Sequence, residues 1–465
     1  ETDFKSLYKS LLIGVAIIIT IGVFQFIGLD FFGSELGRNL ILPTQYRGLE
    51  LNMKFESGRV YSTLYNPNYV GVYAALVIPM ILIMILFERK IVNIIVSVIL
   101  LFGLIMCVYG AKSLTGVLGL IVASICILIF MWRLCIKRFY VTIPIIAIIV
   151  LGVLYFSVYS NNNLLIKLKN DLSNSKTDNT LTSMYIKDDY VSLTYNRNEI
   201  KIKCQQNDNI LKLMVYDSSN KELQLEFDQD NNQQYTIADS RFNGLLLGWD
   251  TEISWAFYVK CKGNIYKFTN YTTDNNYYYI NEYNKLDQII DPPKAIFTDY
   301  EKFATGRGYI WSRTIPLLKK YILWGSGPDT YVLAFPQQDY LGRTRNFYPG
   351  SVLTKPHNLY LQIGVQTGVV SLIAFLVLYI MYFINSVRIY IKGIYNSYYA
   401  KIGLAVFVST ISYMFTGLTN DSSICTAPVF WSLLGIGIAA NLKAKPLIME
   451  EAKRLKEAKK AKKSM

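Results

Sequence analysis

The sequence predicts an α-helical polytopic membrane protein with about eight spanning helices, an inserted extracytoplasmic all-β domain and an interfacial helical loop. Three observations predict this. Hydrophobic residues make up 52% of the 465 residues and the mean hydropathy is +0.27, too apolar for an ordinary soluble domain. Eight stretches approach the roughly 20 apolar residues that cross a bilayer core: 8–28, 69–87, 91–110, 114–132, 139–158, 360–386, 399–417 and 424–442. Between the fifth and sixth, from Ser160 to Leu359, the chain turns polar and its hydrophobic period shortens to that of strands.

Orientation follows from the basic residues of the short loops. Glu88-Arg89-Lys90 carries a net +1, and Arg133, Lys137 and Arg138 carry +3. Arg388, Lys392 and Lys401 add +3, and the tail from Lys443, with nine Lys/Arg against three Glu, adds +6. Together they hold nearly all of the formal charge of +14. If every apolar stretch crosses once, all four fall on one side, the cytoplasmic one. On the other side residues 161–300 are net −4, whereas residues 301–357 are net +5. A basic segment facing outward runs against the usual asymmetry and suggests an anionic ligand.

In chain order, residues 1–158 hold spans one to five, with an outer loop at 29–68. The start, Glu-Thr-Asp with no Met, reads as a truncation that leaves further helices upstream. Residues 160–180 are an Asn/Ser/Lys/Asp-rich linker. Residues 181–290 read as a β-sandwich-like insertion, with runs such as Ile200-Lys-Ile-Lys-Cys and Ile253-Ser-Trp-Ala-Phe-Tyr-Val broken every eight to twelve residues by Asn, Asp or Gly. Asp228-Gln-Asp230 reads as a turn, because no nucleotide-binding α/β pattern surrounds it. Residues 291–359 form a basic outer loop with interfacial helices, in which Ile310, Trp311, Ile315, Leu317 and Leu318 make an apolar side expected to rest on the membrane. Residues 360–442 supply spans six to eight, and 443–465 a basic cytoplasmic tail. Of six cysteines, Cys107, Cys126, Cys135 and Cys425 lie in or near spans as small apolar residues. Cys204 and Cys261 share the outer domain and can pair or stay free; their spacing fits no metal motif.

The chemistry concentrates in four segments on the outer side. They are Gly58-Arg59-Val-Tyr-Ser-Thr-Leu-Tyr-Asn66-Pro67-Asn68, Gly110-Ala-Lys112-Ser113, Thr305-Gly306-Arg307-Gly-Tyr-Ile-Trp311-Ser-Arg313, and Pro356-His357-Asn358 followed by Gly364 and Gly368. His357 is the only histidine in the chain, and imidazole is the side chain suited to accept a proton near neutral pH. Arginine at a membrane surface can clamp phosphate through two parallel N–H bonds or pair with lipid headgroups. The two glycines give a flat helix face that serves lipid or helix packing.

The string His-Asn-Leu-Tyr-Leu-Gln-x-Gly-x-x-x-Gly, preceded by Thr-Gly-Arg-x-x-x-Trp and Gly-x-Gly, resembles the O-antigen ligase/O-antigen polymerase superfamily. These are bacterial polytopic enzymes acting on undecaprenyl-pyrophosphate-linked glycans at the outer leaflet. The resemblance covers the motifs within about 59–113 and 305–370 and the helical layout around a large outer loop, but not residues 181–284. It implies that His357 is the base for the acceptor hydroxyl and that Arg307 holds pyrophosphate. Arg59 matches the arginine upstream of the Asn-Pro-Asn segment. Where relatives carry Ser-Arg-Gly this chain has Lys112-Ser113-Leu114, so Lys112 stands in for that charge. Arg313 and Asn358 are further substrate-binding candidates, and Asp421 is a lesser one.

The function so implied is a surface polysaccharide ligase or polymerase, inverting and independent of metal, with no cofactor. Its partners are the undecaprenyl-pyrophosphate-linked glycan donor, a glycan, lipid or wall-polymer acceptor, and membrane lipids, but not nucleic acid. Two other readings stand beside it. A flippase of lipid-linked glycan requires charged residues along its spans, which these helices nearly lack. A non-catalytic glycan-binding receptor built on the β domain draws on the dense aromatics of Tyr277-Tyr-Tyr-Ile-Asn-Glu-Tyr283, which can equally pack across strands.

Overall fold

The computed structural model describes residues 1–48, 55–139, 143, 176–207, 210–228 and 234–463. In chain order it contains α1 (Thr2–Phe26), α2 (Glu35–Ile41), α3 (Pro67–Phe87), α4 (Ile91–Ala111) and α5 (Leu114–Lys137), then twelve strands, β1 (Leu181–Ile186) to β12 (Leu286–Asp287). There follow α6 (Phe303–Leu317), α7 (Tyr331–Ala334), α8 (Tyr340–Arg345), α9 (Leu359–Gln366), α10 (Val369–Tyr390), α11 (Tyr398–Thr416) and α12 (Ala427–Lys463). The chain divides into two compact units: Glu1–Leu164 with His357–Tyr360 and Leu372–Met465, and Leu165–Pro356 with Leu361–Ser371.

Seven helices among the described residues, α1, α3, α4, α5, α10, α11 and α12, are long and apolar enough to cross a membrane. The protein is a multi-pass membrane protein. The span expected at 139–158 and most of the linker expected at 160–180 lie outside the described residues. So does most of the Asp228–Asp230 turn.

In the first unit α3 is the central helix. It is apolar on every side, and a helix of that kind needs neighbours all round. Its apolar window is 94% buried, against 11% for α1. Asn66 starts it by accepting the Asn68 N–H at 2.9 Å, with Pro67 at the first helical position, where no N–H is needed. Ser113 caps α5 in the same way. Helices α3 and α5 meet backbone to backbone, since a Cβ on Gly116 would lie 2.6 Å from the Gly71 Cα. Helix α11 joins them through the Ser412 hydroxyl, which donates to the Gly119 carbonyl at 2.8 Å. Helices α10 and α12 are joined by a buried polar chain. Tyr390 donates to Asn441 Oδ1 at 2.6 Å, and Asn441 Nδ2 donates to Ser386 at 2.7 Å, the kind of bond that joins helices where lipid offers no hydrophobic drive.

In the second unit the alternating segment folds into two antiparallel meander sheets, in the orders β1-β2-β3-β4-β5 and β12-β11-β10-β9-β8-β7-β6. The period of two puts Ile200, Ile202 and Cys204 inward from one sheet, and Phe257, Val259 and Cys261 inward from the other, into one shared core. Cys204 and Cys261 are both free and buried, so the pairing left open by their spacing is not formed. Burial pushes the Cys204 thiol up to about 11, which leaves it protonated and inert.

Three expectations for the rest of the unit are corrected. Ile310 and Trp311 do not rest on a membrane surface; they are buried with Tyr331, Phe335, Leu353 and Val365 in a core of their own. The span expected at 360–386 breaks into α9 and α10 at Thr367-Gly368. Gly368 takes a left-handed φ of 104°, so Gly364 and Gly368 do not share one helix face. A loop occupies the break. Ser326 and Gly327 give their N–H groups to the Val365 and Gln366 carbonyls at 2.8 and 3.0 Å, and the Val369 and Val370 N–H groups reach the Tyr321 and Ile322 carbonyls at 3.0 and 3.1 Å. The helix ends that a break exposes are thereby satisfied. Gly325 is required there, because a Cβ would lie 2.1 Å from the Gln366 carbonyl group. In the first unit, the last span and the basic tail are one helix, α12, which runs through Pro446.

The α3–α5 contact predicts that Gly116→Val lowers the unfolding temperature of the purified protein by the equivalent of about 1–3 kcal/mol, the usual cost of overpacking. Gly14→Ala, whose Cβ meets nothing within 4 Å, leaves it unchanged. Thermal unfolding in lipid nanodiscs reads both.

Candidate active site

Helix α11 ends at Thr416, and the turn after it receives the segment that begins at His357. The Leu359 N–H donates to the Gly417 carbonyl at 2.8 Å, Asn358 Nδ2 to the Leu418 carbonyl at 2.9 Å, and Tyr360 Oη to the Met414 carbonyl at 2.6 Å. These bonds hold His357 at a left-handed φ of 50°, a conformation that costs a non-glycine residue about 1–2 kcal/mol and persists only when its surroundings fix it. His357 Nδ1 then lies 3.0 Å from Asp421 Oδ2. The Asp421 side chain is 2% exposed and that of His357 is 42% exposed. The other carboxylate oxygen, Oδ1, accepts the Asn358 N–H at 3.3 Å.

An ionised carboxylate only accepts, so it selects the imidazole tautomer that carries its proton on Nδ1. Nε2 is the nitrogen left for an outside partner, with its lone pair free. The geometry suits a base oriented by a buried carboxylate, and Asp421, a lesser candidate by sequence, is the residue that orients the His357 ring.

Two more of the expected residues lie at the same end of this unit. The Thr115 and Thr419 hydroxyls meet at 3.0 Å, which ties the α4–α5 turn to the turn that carries Asp421. In that α4–α5 turn Lys112 is exposed and takes a left-handed φ of 49° as the C-cap of α4. The Val60 N–H donates to the Gly110 carbonyl at 3.2 Å, which sets Arg59 beside the same corner. The Arg59 loop is pinned from α1 by the buried Gln25, whose Oε1 accepts the Tyr61 and Ser62 N–H groups at 3.1 and 2.7 Å. Tyr61 also donates to Asp30. Among the described residues the Arg59 guanidinium makes no hydrogen bond or ion pair. Burial lowers its pKa, partly offset by the nearby Glu56 carboxylate. A half-buried cation held in that way favours an incoming anion.

Arg307 and Arg313 belong to the second unit. Ala304, Thr305 and Gly306 all take left-handed backbone, with φ of 51°, 60° and 86°, so the regular helix starts at Arg307. Arg307 is half-buried near Tyr348, whose hydroxyl donates to the Thr305 carbonyl at 3.2 Å. Burial raises the Tyr348 pKa and the Arg307 charge opposes the rise. The indole N–H of Trp311 donates to the Pro356 carbonyl at 3.0 Å. The tryptophan of the Gly-Arg-x-x-x-Trp motif therefore anchors the residue that directly precedes His357.

Arg313 is 1% exposed, paired with Glu301, and 2.9 Å from Asp339. Arg345 reaches Glu301 at 2.8 Å and Arg343 reaches Glu282 at 2.7 Å. Three of the eight basic residues of 301–357 are thus paired inside the fold, whereas Lys319 and Lys320 stay exposed. Glu301 and Asp339, which organise this network, escaped the sequence reading because no local pattern links them to Arg313. Burial pushes the Glu301 carboxyl up, but Arg313 and Arg345 outweigh it and hold its pKa below the ordinary range.

A carboxyl whose folded pKa is depressed contributes stability above its unfolded pKa and loses it as pH falls through the folded value. The second unit is therefore expected to lose this contribution below about pH 4. Arg313→Met leaves Glu301 and Asp339 buried without their cation, at a cost of about 3–5 kcal/mol. Acid and thermal unfolding should show the variant markedly weakened at neutral pH, with a smaller further loss on acidification.

Residues 265–376 match the family model described as O-Antigen ligase. The match starts at the second residue of β10, inside the β-rich segment, and takes in Arg307, Arg313, His357 and Asn358. No curated protein and no solved structure gives a significant match to the chain. Over residues 265–376 this multi-pass membrane chain is thus similar to O-antigen ligases, which supports the superfamily resemblance of its motifs.

Proposed function

We propose that the protein transfers a glycan from undecaprenyl pyrophosphate to an acceptor hydroxyl at the outer leaflet, as a ligase or a polymerase of a bacterial surface polysaccharide. The observation that carries this reading is the His357–Asp421 pair, a half-exposed imidazole oriented by a buried carboxylate at the end of the helical unit opposite the basic turns at 88–90 and 133–138.

In the proposed step Nε2 of His357 takes the proton of the acceptor hydroxyl. The oxygen so activated attacks C1 of the donor sugar as the bond from C1 to the pyrophosphate oxygen breaks, and in-line displacement inverts the configuration. Asp421 keeps Nδ1 protonated and stabilises the imidazolium that forms. Arg59 and Lys112, at the His357 end of the same unit, supply cations for the charge that grows on the leaving pyrophosphate, an electrostatic contribution that is often the largest in catalysis; for Arg307 the reading rests on the family motif alone. Arg313, enclosed by Glu301 and Asp339, acts by holding α6 in place and not by touching substrate. Asn358 contributes chiefly by strapping the histidine segment to Leu418 and Asp421. The step as written uses side chains alone and assigns no role to a metal.

The test is glycan transfer by the purified chain in nanodiscs supplied with undecaprenyl-pyrophosphate-linked glycan. His357→Ala is expected to lower the transfer rate by about 10²–10⁴-fold, the usual contribution of a general base. Asp421→Asn should also lower the rate, with donor binding retained. Full activity in His357→Ala would refute the proposal.

A further inference from the structure

The loop that fills the α9–α10 break carries a row of exposed apolar side chains. Ile322 is 53% exposed, Leu323 67% and Trp324 84%, and the exposed Lys319 and Lys320 directly precede them. In an aqueous loop such a run is a liability. Its position is fixed by main-chain bonds, because the Tyr321 and Ile322 carbonyls accept the first N–H groups of α10. A Cβ on Gly368 would lie 2.9 Å from the Leu323 carbonyl oxygen, so the loop and the start of the helix share one level. Helix α10 is a candidate membrane span, and Val370, in its first turn and bonded to Ile322, is itself 51% exposed.

We propose that residues 319–324 are an interfacial anchor that inserts Ile322, Leu323 and Trp324 among the lipids where α10 enters the bilayer. Lys319 and Lys320 then lie at the headgroup phosphates. Tryptophan next to aliphatic residues and lysine is the composition that settles at a membrane–water boundary. The occupant of this surface is the bilayer, because the N–H groups that fix the loop belong to the first turn of a spanning helix. The anchor replaces the Ile310–Leu318 face expected from the sequence, whose residues Ile310 and Trp311 are buried in protein. It also gives the loop that caps α9 a fixed depth.

An environment-sensitive bimane attached at Trp324→Cys, and separately at Leu323→Cys, in the full chain in nanodiscs tests this. Unsubstituted protein carried through the same labelling gives the background from its own cysteines. Both sites are exposed, so neither change disturbs a core. The expected result is blue-shifted emission that is lost when the lipids carry a spin label near the headgroup, with less loss when the label is near the chain end. Water-like emission that neither label quenches, as for a solvated loop or one covered by another protein, overturns the proposal. Stronger quenching by the deep label overturns the interfacial depth.

Discussion

Asp421 is the constraint on which the candidate site depends. Its carboxylate, 2% exposed, accepts from the ring of His357 and from the main chain of Asn358, so one buried side chain fixes both the orientation of the imidazole and the path of the backbone that carries it. Removing a single partner from such a pair leaves a charge or a donor unsatisfied at low dielectric, which is costly. The left-handed backbone at His357 is the visible result: the surrounding bonds compensate a conformation the residue would otherwise avoid.

The segment before the histidine is held by different means. Trp311 anchors Pro356, the Glu301–Arg313–Asp339 cluster stiffens α6, and the loop through Gly325 closes the break after α9. The first relies on an indole hydrogen bond from an apolar core, the second on buried charge and the third on a close approach at glycine. A motif arginine and a motif tryptophan four residues apart thus divide the work. Arg307 stays half-buried at the start of the regular helix, while Trp311 turns inward to fix the chain.

Periodicity and composition made the architecture legible. A run of about 20 apolar residues or a strict alternation is a local property, so the spans and the two sheets could be read directly from the chain. His357 and Arg307 were legible through motif spacing. What escaped was set by contacts between residues distant in sequence. Asp421 follows His357 by 64 residues, and nothing near it announces a partnership. Arg313 reads as a surface clamp until Glu301 and Asp339 enclose it, and Ile310 and Trp311 read as a lipid-facing stripe until a local core claims them. The break at Gly368 was missed because the residues on both sides are equally apolar, and hydropathy is blind to a turn that another loop stabilises.

Because the chain has one histidine, its tautomer can be measured without ambiguity. Protein labelled with ¹⁵N-histidine, in lipid nanodiscs at a pH where transfer is active, should give one imidazole with a protonated, pyrrole-type Nδ1 and an unprotonated, pyridine-type Nε2, and Asp421→Asn should disturb that pattern. A proton on Nε2 with a bare Nδ1 would contradict the account, since the nitrogen assigned to accept the acceptor's proton would already be occupied.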